Sequence, residues 1–490
     1  MSTLTAVTAI PRRGLAMGIL VFASFMDLLD VTIVQIALPT IREDLGATPA
    51  QLEWTVSGYM LAFAVLLITG GRLGDIFGRR GVFVVGVAGF TLASVAAGLA
   101  GSADLLVGAR TAQGAFAALM VPQTLATLQA LYTPKERAPM LGVIGGVSGL
   151  SAVVAPLLGG WLITADVGGS GWRSIFFLNV PIGILVLILA LAFVPNTRSN
   201  TARRLDLRGV LLLSGALVAL LYPLVEGSSL GWPAWLWMPA LGGVFLAVIF
   251  VIVELRRERA DGSSLLPMRL FRDRGFSTGL ITQALFQGSM NAFSLVLLVY
   301  VQAALGFDAF GAGLTLLSFS VGAILGMGVA IPLASKGSKY GVTAGLLIEA
   351  GGLLWIMTII AARGIELTGW DLAIAFAVTG VGLALVVVPL VDIALATVPI
   401  ADAGAASGAY GTFQQIGAAV GVAISATVFF GIVGDDWSQP HVLEALWPSI
   451  CIAIGGYLLA AVATLFLPNR AAVREHVEHQ AELVAIDRDV

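Results

Sequence analysis

Charge is what this sequence has least of. Only 11% of its 490 residues are Asp, Glu, Lys or Arg, less than half the roughly 25% of a soluble chain. That is too little polar surface to cover a fold that faces water on all sides. Lysine is nearly missing, with only Lys135, Lys336 and Lys339. Cys451 stands alone, so no disulfide can form within the chain. The histidines, His441, His476 and His479, all lie outside the apolar segments. No His/Cys/Asp cluster with metal-ligand spacing, no nucleophile motif and no phosphate-binding loop is present. These absences speak against an enzyme and against a bound metal or cofactor, and no nucleic-acid partner is expected. The first fourteen residues are too short and too poorly patterned for a cleaved signal peptide.

Apolar sequence is abundant instead. Hydrophobic residues make up 58% of the chain and the mean hydropathy is +0.96. Stretches of about 20 apolar residues recur, each long enough to cross about 30 Å of hydrocarbon as a helix. The period-2 alternation of a membrane barrel is lacking. The expected fold is an all-α polytopic membrane protein. Spans are predicted at 15–38, 54–71, 82–101, 104–131, 140–164, 173–195, 209–226, 235–255, 276–302, 312–334, 342–361, 372–398, 404–433 and 447–467, fourteen in all.

The few cations set the orientation. With the N-terminus inside, 22 of the 26 Lys and Arg fall on the inner side, Arg42, Arg173 and Arg363 fall outside, and Arg110 lies within a span. The excess of Lys and Arg in cytoplasmic loops then predicts that both termini are cytoplasmic. The longest inner connection, "LRRERADGSSLLPMRLFRDRG" at 255–275, separates eight helices from the last six. The tail beyond Asn469 is charged, and His476 and His479 sit i, i+3 on it.

Four stretches carry chemistry. Residues 25–39 read "FMDLLDVTIVQIALP", with Asp27 and Asp30 three apart on one helix face. Carboxylates do not face lipid, so that face is expected to look into a cavity or the bundle interior. Burial and a second nearby acid both favour the protonated form, so the pair is expected to bind and release protons as a coupled unit. The turn after the second span reads "GRLGDIFGRRG", in which Gly71 and Gly78 allow a short reversal while Asp75, Arg79 and Arg80 form a charged cluster. The fourth span carries Arg110 in "RTAQGAFAALMVPQ". An arginine this deep costs roughly 2.5–3.5 kcal/mol on insertion scales and needs polar partners. Otherwise it must snorkel to the outer interface. The fifth span, "GVIGGVSGLSAVVAPLLGGWL", is rich in small residues and carries Pro156, Gly159 and Gly160, which suits close helix approach and a bend.

Taken together, these stretches resemble the major facilitator superfamily, and within it the fourteen-helix drug:proton antiporters. The turn from Gly71 to Gly81 resembles the superfamily's loop between its second and third helices. Arg110, Gln113 and Gly114 match its fourth-helix motif, with Phe116 where a glycine is usual. The fifth span resembles the antiporter motif of exporters, with Ser151 and Ala155 replacing glycines. "LLDVTIVQIALP" resembles the first-helix motif, Asp30 at its acidic position, and "WRSIFFLNVPIG" at 172–183 is also typical of that branch. "PLASKGSKYG" at 332–341 looks like a worn copy of the gating turn, without its acid.

The resemblance implies two six-helix bundles, at 1–200 and 261–470, with two inserted helices at 201–260 and a cytoplasmic tail at 471–490. It also implies alternating access driven by the proton gradient. The predicted activity is proton-coupled efflux of amphipathic, cationic or multiple small molecules across a bacterial inner membrane, by a monomer. Asp27, Asp30, Glu349 and Asp392 are the candidates for protons or substrate cations. Gln283, Gln287 and Asn291 form a polar stripe on the ninth span beside Phe286, Met290 and Phe293. With Tyr410 and Gln414 on the thirteenth, they are the expected substrate cavity. Competing readings are a dedicated exporter of one metabolite or antibiotic, a proton-coupled nutrient symporter and, least favoured, a membrane enzyme or channel.

Overall fold

The computed structural model describes residues 12–166, 169–197, 206–260, 265–303, 305, 309–335, 339–363, 367–399, 402–433 and 438–468. The tail at 471–490 with His476 and His479, and Arg198, Arg203, Arg204 and Lys336, lie outside the described residues.

Twelve helices among the described residues are long and apolar enough to cross a membrane. With Pro134–Ala165 and Ala309–Ser335 they make the series α1 (Arg13–Leu45), α2 (Pro49–Phe77), α3 (Arg79–Gly98), α4 (Ala103–Leu131), α5 (Pro134–Ala165), α6 (Gly171–Phe193, opening in a 3₁₀ turn) and α7 (Leu207–Leu230). It continues with α8 (Trp237–Ala260), α9 (Arg274–Ala303), α10 (Ala309–Ser335), α11 (Lys339–Arg363), α12 (Gly369–Leu395), α13 (Ala403–Val433) and α14 (Gln439–Thr464). Helices extend past the apolar runs where the sequence caps them. The second was expected from 54 but starts at Pro49, because Thr48 Oγ1 accepts from Gln51 N at 3.3 Å while Gln51 Oε1 accepts from Thr48 N at 3.0 Å. Thr133 and Glu136 form the same reciprocal box, which starts α5 at Pro134 rather than 140.

The pairing of helices repeats. In the first half α2 packs on α4, α3 on α4 and α6, and α1 on α5 and α6. In the second half α10 packs on α12, α11 on α12 and α14, and α9 on α13 and α14, the same pattern eight helices later. The second half buries an apolar core of its own, while the core of the first half continues across the seam to Ala330, Ala384, Val388 and Ala405; α7 and α8 pack on each other, with α7 touching both α2 and α13. This is the architecture of two six-helix bundles with an inserted pair. α8 faces outward over most of its length, exposing Trp237, Met238, Leu241, Phe245 and Val248. Such a surface suits hydrocarbon rather than water.

The halves meet along a seam at the end of the molecule that carries the α2–α3 turn, here called the basic end. α2 crosses α13 there so closely that Gly71 and Gly404 each leave room only for the other's backbone. On the other side, α5 packs on α10 and α12, with Gly142 beside Ile331 and Gly145 beside Met327.

Candidate functional site

Five helices deliver polar side chains to one buried spot in the first half. Asp30 from α1 and Arg110 from α4 form an ion pair, and both residues are 1% exposed. Asp30 Oδ1 also accepts from Gln113 Nε2 at 2.9 Å and from Asn179 Nδ2 of α6 at 2.6 Å. Ser94 of α3 receives hydrogen bonds from the same two amides, at 2.9 and 3.2 Å. Arg110 is held in turn by Gln113 Oε1 at 2.7 Å and by the Thr55 carbonyl of α2 at 3.2 Å. Arg110 therefore does not snorkel outward. Its charge is met inside the bundle by a carboxylate and two carbonyl-type oxygens, as buried arginines require.

Asp27 stands apart from that cage. Its hydrogen-bond donor is neutral, the Tyr59 hydroxyl of α2, which donates to Oδ1. The Tyr59 ring lies under the Arg110 guanidinium, 4.5 Å from centroid to Cζ. Tyr59 thus touches the arginine by its π-face and the second carboxyl by its hydroxyl, and connects the two acids. Asp30 is locked by a cation and two amides, whereas Asp27 hangs on one phenol.

The α2–α3 turn builds a second polar cluster at the basic end. Gly78 takes φ 98°, a conformation that favours glycine, and lets α3 start at once. Asp75, fully buried, accepts from Arg79 Nη2 at 3.1 Å within its own half. It also accepts from Gly404 N at 3.2 Å and Ala405 N at 3.1 Å, the free amides at the start of α13 in the other half. A carboxylate at a helix N-terminus is favoured by the unpaired N–H groups and the helix dipole. Arg72 and Arg269 both reach Asp402, at 3.9 and 2.5 Å. Arg80 is half-buried.

The remaining candidates scatter. Glu349 on α11 is buried with Tyr457 of α14, and one of its oxygens has no partner. Asp392 does not lie with the other acids. It stands at the basic-end seam and faces Arg137 of the first half. Gly159 abuts Ile33 of α1, Gly160 borders open space, and the side chain of Pro156 lies outside the described residues. Phe116 fits because Gly89 of α3 leaves the volume its ring takes.

Three residues of the expected substrate wall on α9 and α13, Gln283, Phe286 and Tyr410, are buried by packing. Gln283 is buried and accepts from the Tyr410 hydroxyl at 2.6 Å, and Phe286 belongs to the second-half core. The reason is the close approach of α9 and α13 at Gly288 and Gly417, which leaves the amide and the phenol to satisfy one another. Gln287, Met290, Asn291 and Gln414 stay half-buried. A cavity of about 450 Å³ opens instead between α1 and α5, lined by Met17, Val21, Phe22, Phe25, Met140 and Val147.

The family model of the Major Facilitator Superfamily matches residues 20–422 and 280–485. The chain belongs to that superfamily. It is 41% identical over 428 residues to the "Probable actinorhodin transporter" of Streptomyces coelicolor, covering 87% of this chain and 74% of the relative. It is 33% identical over 464 residues to a puromycin resistance protein of Streptomyces alboniger, covering 92% and 90%. Among solved structures it is similar to the human organic anion transporter MFSD10, with TM-score 0.66 at 16% identity, over 93% of this chain and 100% of that one. As a major facilitator protein it is a multi-pass membrane transporter of small molecules, not an enzyme.

Within this superfamily member, the side chains of the cluster that no motif announces are those of Tyr59, Ser94 and Asn179. Each is polar inside an apolar span, which is itself a signal for an interhelical bond. Asn179 was in view within "FFLNVPIG" but was not linked to Asp30, 149 residues away in the chain.

Proposed function

We propose that this transporter expels amphipathic, cationic small molecules in exchange for protons, by rocking its two bundles about the closed basic-end seam. The observation that carries this reading is the unequal bonding of the two acids on α1. Asp30 is neutralised by Arg110 and held by Gln113 and Asn179, which suits a fixed element. Asp27 is buried with a neutral donor, the Tyr59 hydroxyl, and no bonded counter-charge, and it is the acid we assign to the proton. Ionised, it attracts a cation; protonated, it releases one. Glu349 offers a comparable buried carboxyl in the second half, while Asp392 beside Arg137 suits the seam better than the proton path.

Export rather than uptake is supported by the small-residue motif of α5 and by relatives whose names state resistance and export. On this reading the basic end is cytoplasmic, the membrane is the bacterial inner membrane and the protein works as a monomer. The bundles are 1–200 and 261–470, with 201–260 inserted between them. The proton gradient is the only cofactor, and one net charge crossing 100 mV supplies about 2.3 kcal/mol.

The test uses purified protein in liposomes with an imposed pH gradient and an ethidium-like cation. Wild type is expected to accumulate or expel the cation with the gradient, and Asp27→Asn to reduce that at least about tenfold, on the order of 1.4 kcal/mol, while remaining folded. Asp30→Asn is expected to cost stability as well, about 3–5 kcal/mol, because Arg110 is left buried without its counter-charge. Unchanged coupling in Asp27→Asn would move the proton to Glu349. Absence of cation movement by wild type would favour the dedicated exporter of a neutral or anionic compound.

A further inference from the structure

α8 turns nearly all of its side chains outward, yet it fully buries one acid in its last turns. Glu254 is 0% exposed, and beside it lies Asp206, 2% exposed, immediately before α7. Asp206 Oδ1 is fully occupied: it caps α7 by accepting from Gly209 N at 2.9 Å, and it accepts from Arg257 Nη1 at 2.8 Å. Glu254 Oε2 accepts from Leu266 N of the linker at 3.1 Å. The other oxygen of each acid, Asp206 Oδ2 and Glu254 Oε1, has no donor. These two oxygens converge on the space that a Cβ at Gly209 would fill, which it would enter at 2.8 and 2.7 Å, and the carboxyls are within hydrogen-bonding reach of each other.

Two facing acceptors with nothing between them are unstable in a buried site. Two carboxylates and one arginine also leave a net negative charge there. Among the described residues, Arg257 is the cation bonded to the pair. Arg208, Arg256, Arg259 and Arg272 on the neighbouring segments are exposed, and Glu258 is taken by Arg269 at 3.3 Å.

We infer that Asp206 and Glu254 form a proton-binding site, in which Glu254 Oε1–H donates to Asp206 Oδ2. Asp206 is the acceptor, since its Oδ1 is already bonded by Gly209 N and Arg257 while its Oδ2 is open. Glu254 carries the proton. The site is distant in sequence and in the fold from the acids on α1, and it does not depend on the efflux reading. What it holds is the linker. Glu254 fixes Leu266, Glu258 binds Arg269 N and Nη1, and Arg269 continues to Asp402 at the start of α13, beside Asp75. A proton on Glu254 therefore fastens α7, α8 and the linker onto the closed seam, and its loss places two facing charges under that fastening. The folded clamp binds the proton more tightly than the released one, so the clamp weakens as pH rises.

The experiment uses the full chain in lipid nanodiscs, without substrate or gradient, so its outcome is separate from that of the transport assay. Infrared pH-difference spectra report protonated carboxyls, and trypsin cleavage after Arg256, Arg257 and Arg259 reports release of the linker. Wild type is expected to show a protonated-carboxyl band that titrates away at alkaline pH, with cleavage rising by up to about tenfold per pH unit above the midpoint. In Glu254→Gln the amide donates in place of the proton. The band should be missing and cleavage should stay slow at every pH relative to wild type. Asp206→Asn should shift the band in frequency, because its acceptor changes, and this arm decides should Glu254→Gln fail to fold. Spectra in which neither variant alters a protonated-carboxyl band overturn the site. A pH profile of cleavage in Glu254→Gln equal to that of wild type overturns the clamp.

Discussion

The turns α2–α3 and α10–α11 occupy equivalent places in the two halves, and each uses a basic residue to grip the last helix of its own bundle. In the first half Arg79 Nη1 donates to Thr197 Oγ1 at 3.4 Å, just past α6, beside a backbone bond from Arg79 N to the Thr197 carbonyl at 2.9 Å. In the second half Lys339 Nζ donates to the carbonyls of Leu465 and Leu467 at 2.8 and 3.1 Å, at the end of α14. The difference is the acid. Asp75 reaches from the first turn across the seam to the α13 amides, and the second turn has no carboxylate to reach back. One copy of the turn therefore staples its own bundle, while the other staples its bundle and also locks the two halves together. In a two-state carrier only the second kind of contact distinguishes the states, because a bond kept in both states shifts no equilibrium.

The sharpest way to break this asymmetry is Asp75→Asn. It removes the charge that α13 amides and Arg79 share, and hydrogen bonds to a charged group are worth about 1.5–3 kcal/mol. Closure at the basic end is expected to weaken by roughly tenfold to a hundredfold. Distances between spin labels on α2 and α13 would show it as a growing open population. If the distribution stays that of wild type, Asp75 is an intra-bundle residue like Lys339 and the asymmetry has no mechanical meaning.

The asymmetry was partly visible in the sequence. The worn second turn, with its lysines and no acid, could be read directly, as could the fourteen apolar runs and the depth of Arg110, because composition and periodicity are local properties. The partner of Asp75 could not. A helix N-terminus 329 residues away offers only backbone amides, which no residue type announces. The polar stripe on α9 is ambiguous for a related reason. Amide and aromatic side chains look alike whether they line a cavity or close a helix pair, and the glycines Gly288 and Gly417 decided for closure between Gln283 and Tyr410. The spacing of Asp27 and Asp30 is legible in the sequence, but their unequal bonding depends on Tyr59, Gln113 and Asn179 arriving from three other helices.

Lys339→Met is the matched control on the other side of the comparison. A cation at a helix C-terminus near the surface contributes about 0.3–1 kcal/mol. The substitution should lower thermal stability slightly and leave the closed population unchanged. A shift in that population comparable to the Asp75→Asn effect would mean that the second turn also senses the state of the seam.

The smallest effect is expected from a half-buried surface bond that stays inside one bundle. Glu136 at the start of α5 accepts from Arg13 Nη2 at 2.5 Å and Nη1 at 3.1 Å. Bonding to Arg13 first, then to the Thr133 amide and hydroxyl, holds the Glu136 carboxyl down to about 2, from an ordinary value of 4.5. A lowered value stabilises the folded form above the unfolded group's range and stops doing so as pH falls. The contribution is therefore complete above about pH 4.5 and is lost between there and about pH 2. Exposed ion pairs contribute little and are screened by salt, so Glu136→Gln should change the melting temperature only marginally at neutral pH. The difference from wild type should vanish toward pH 2 and shrink in high salt. Because Arg13 and Glu136 belong to the same half, the closed population should not respond to either change. A response would mean that α1 and α5 move against each other when the seam opens, and the first half would then be no rigid staple for Asp75 to work from.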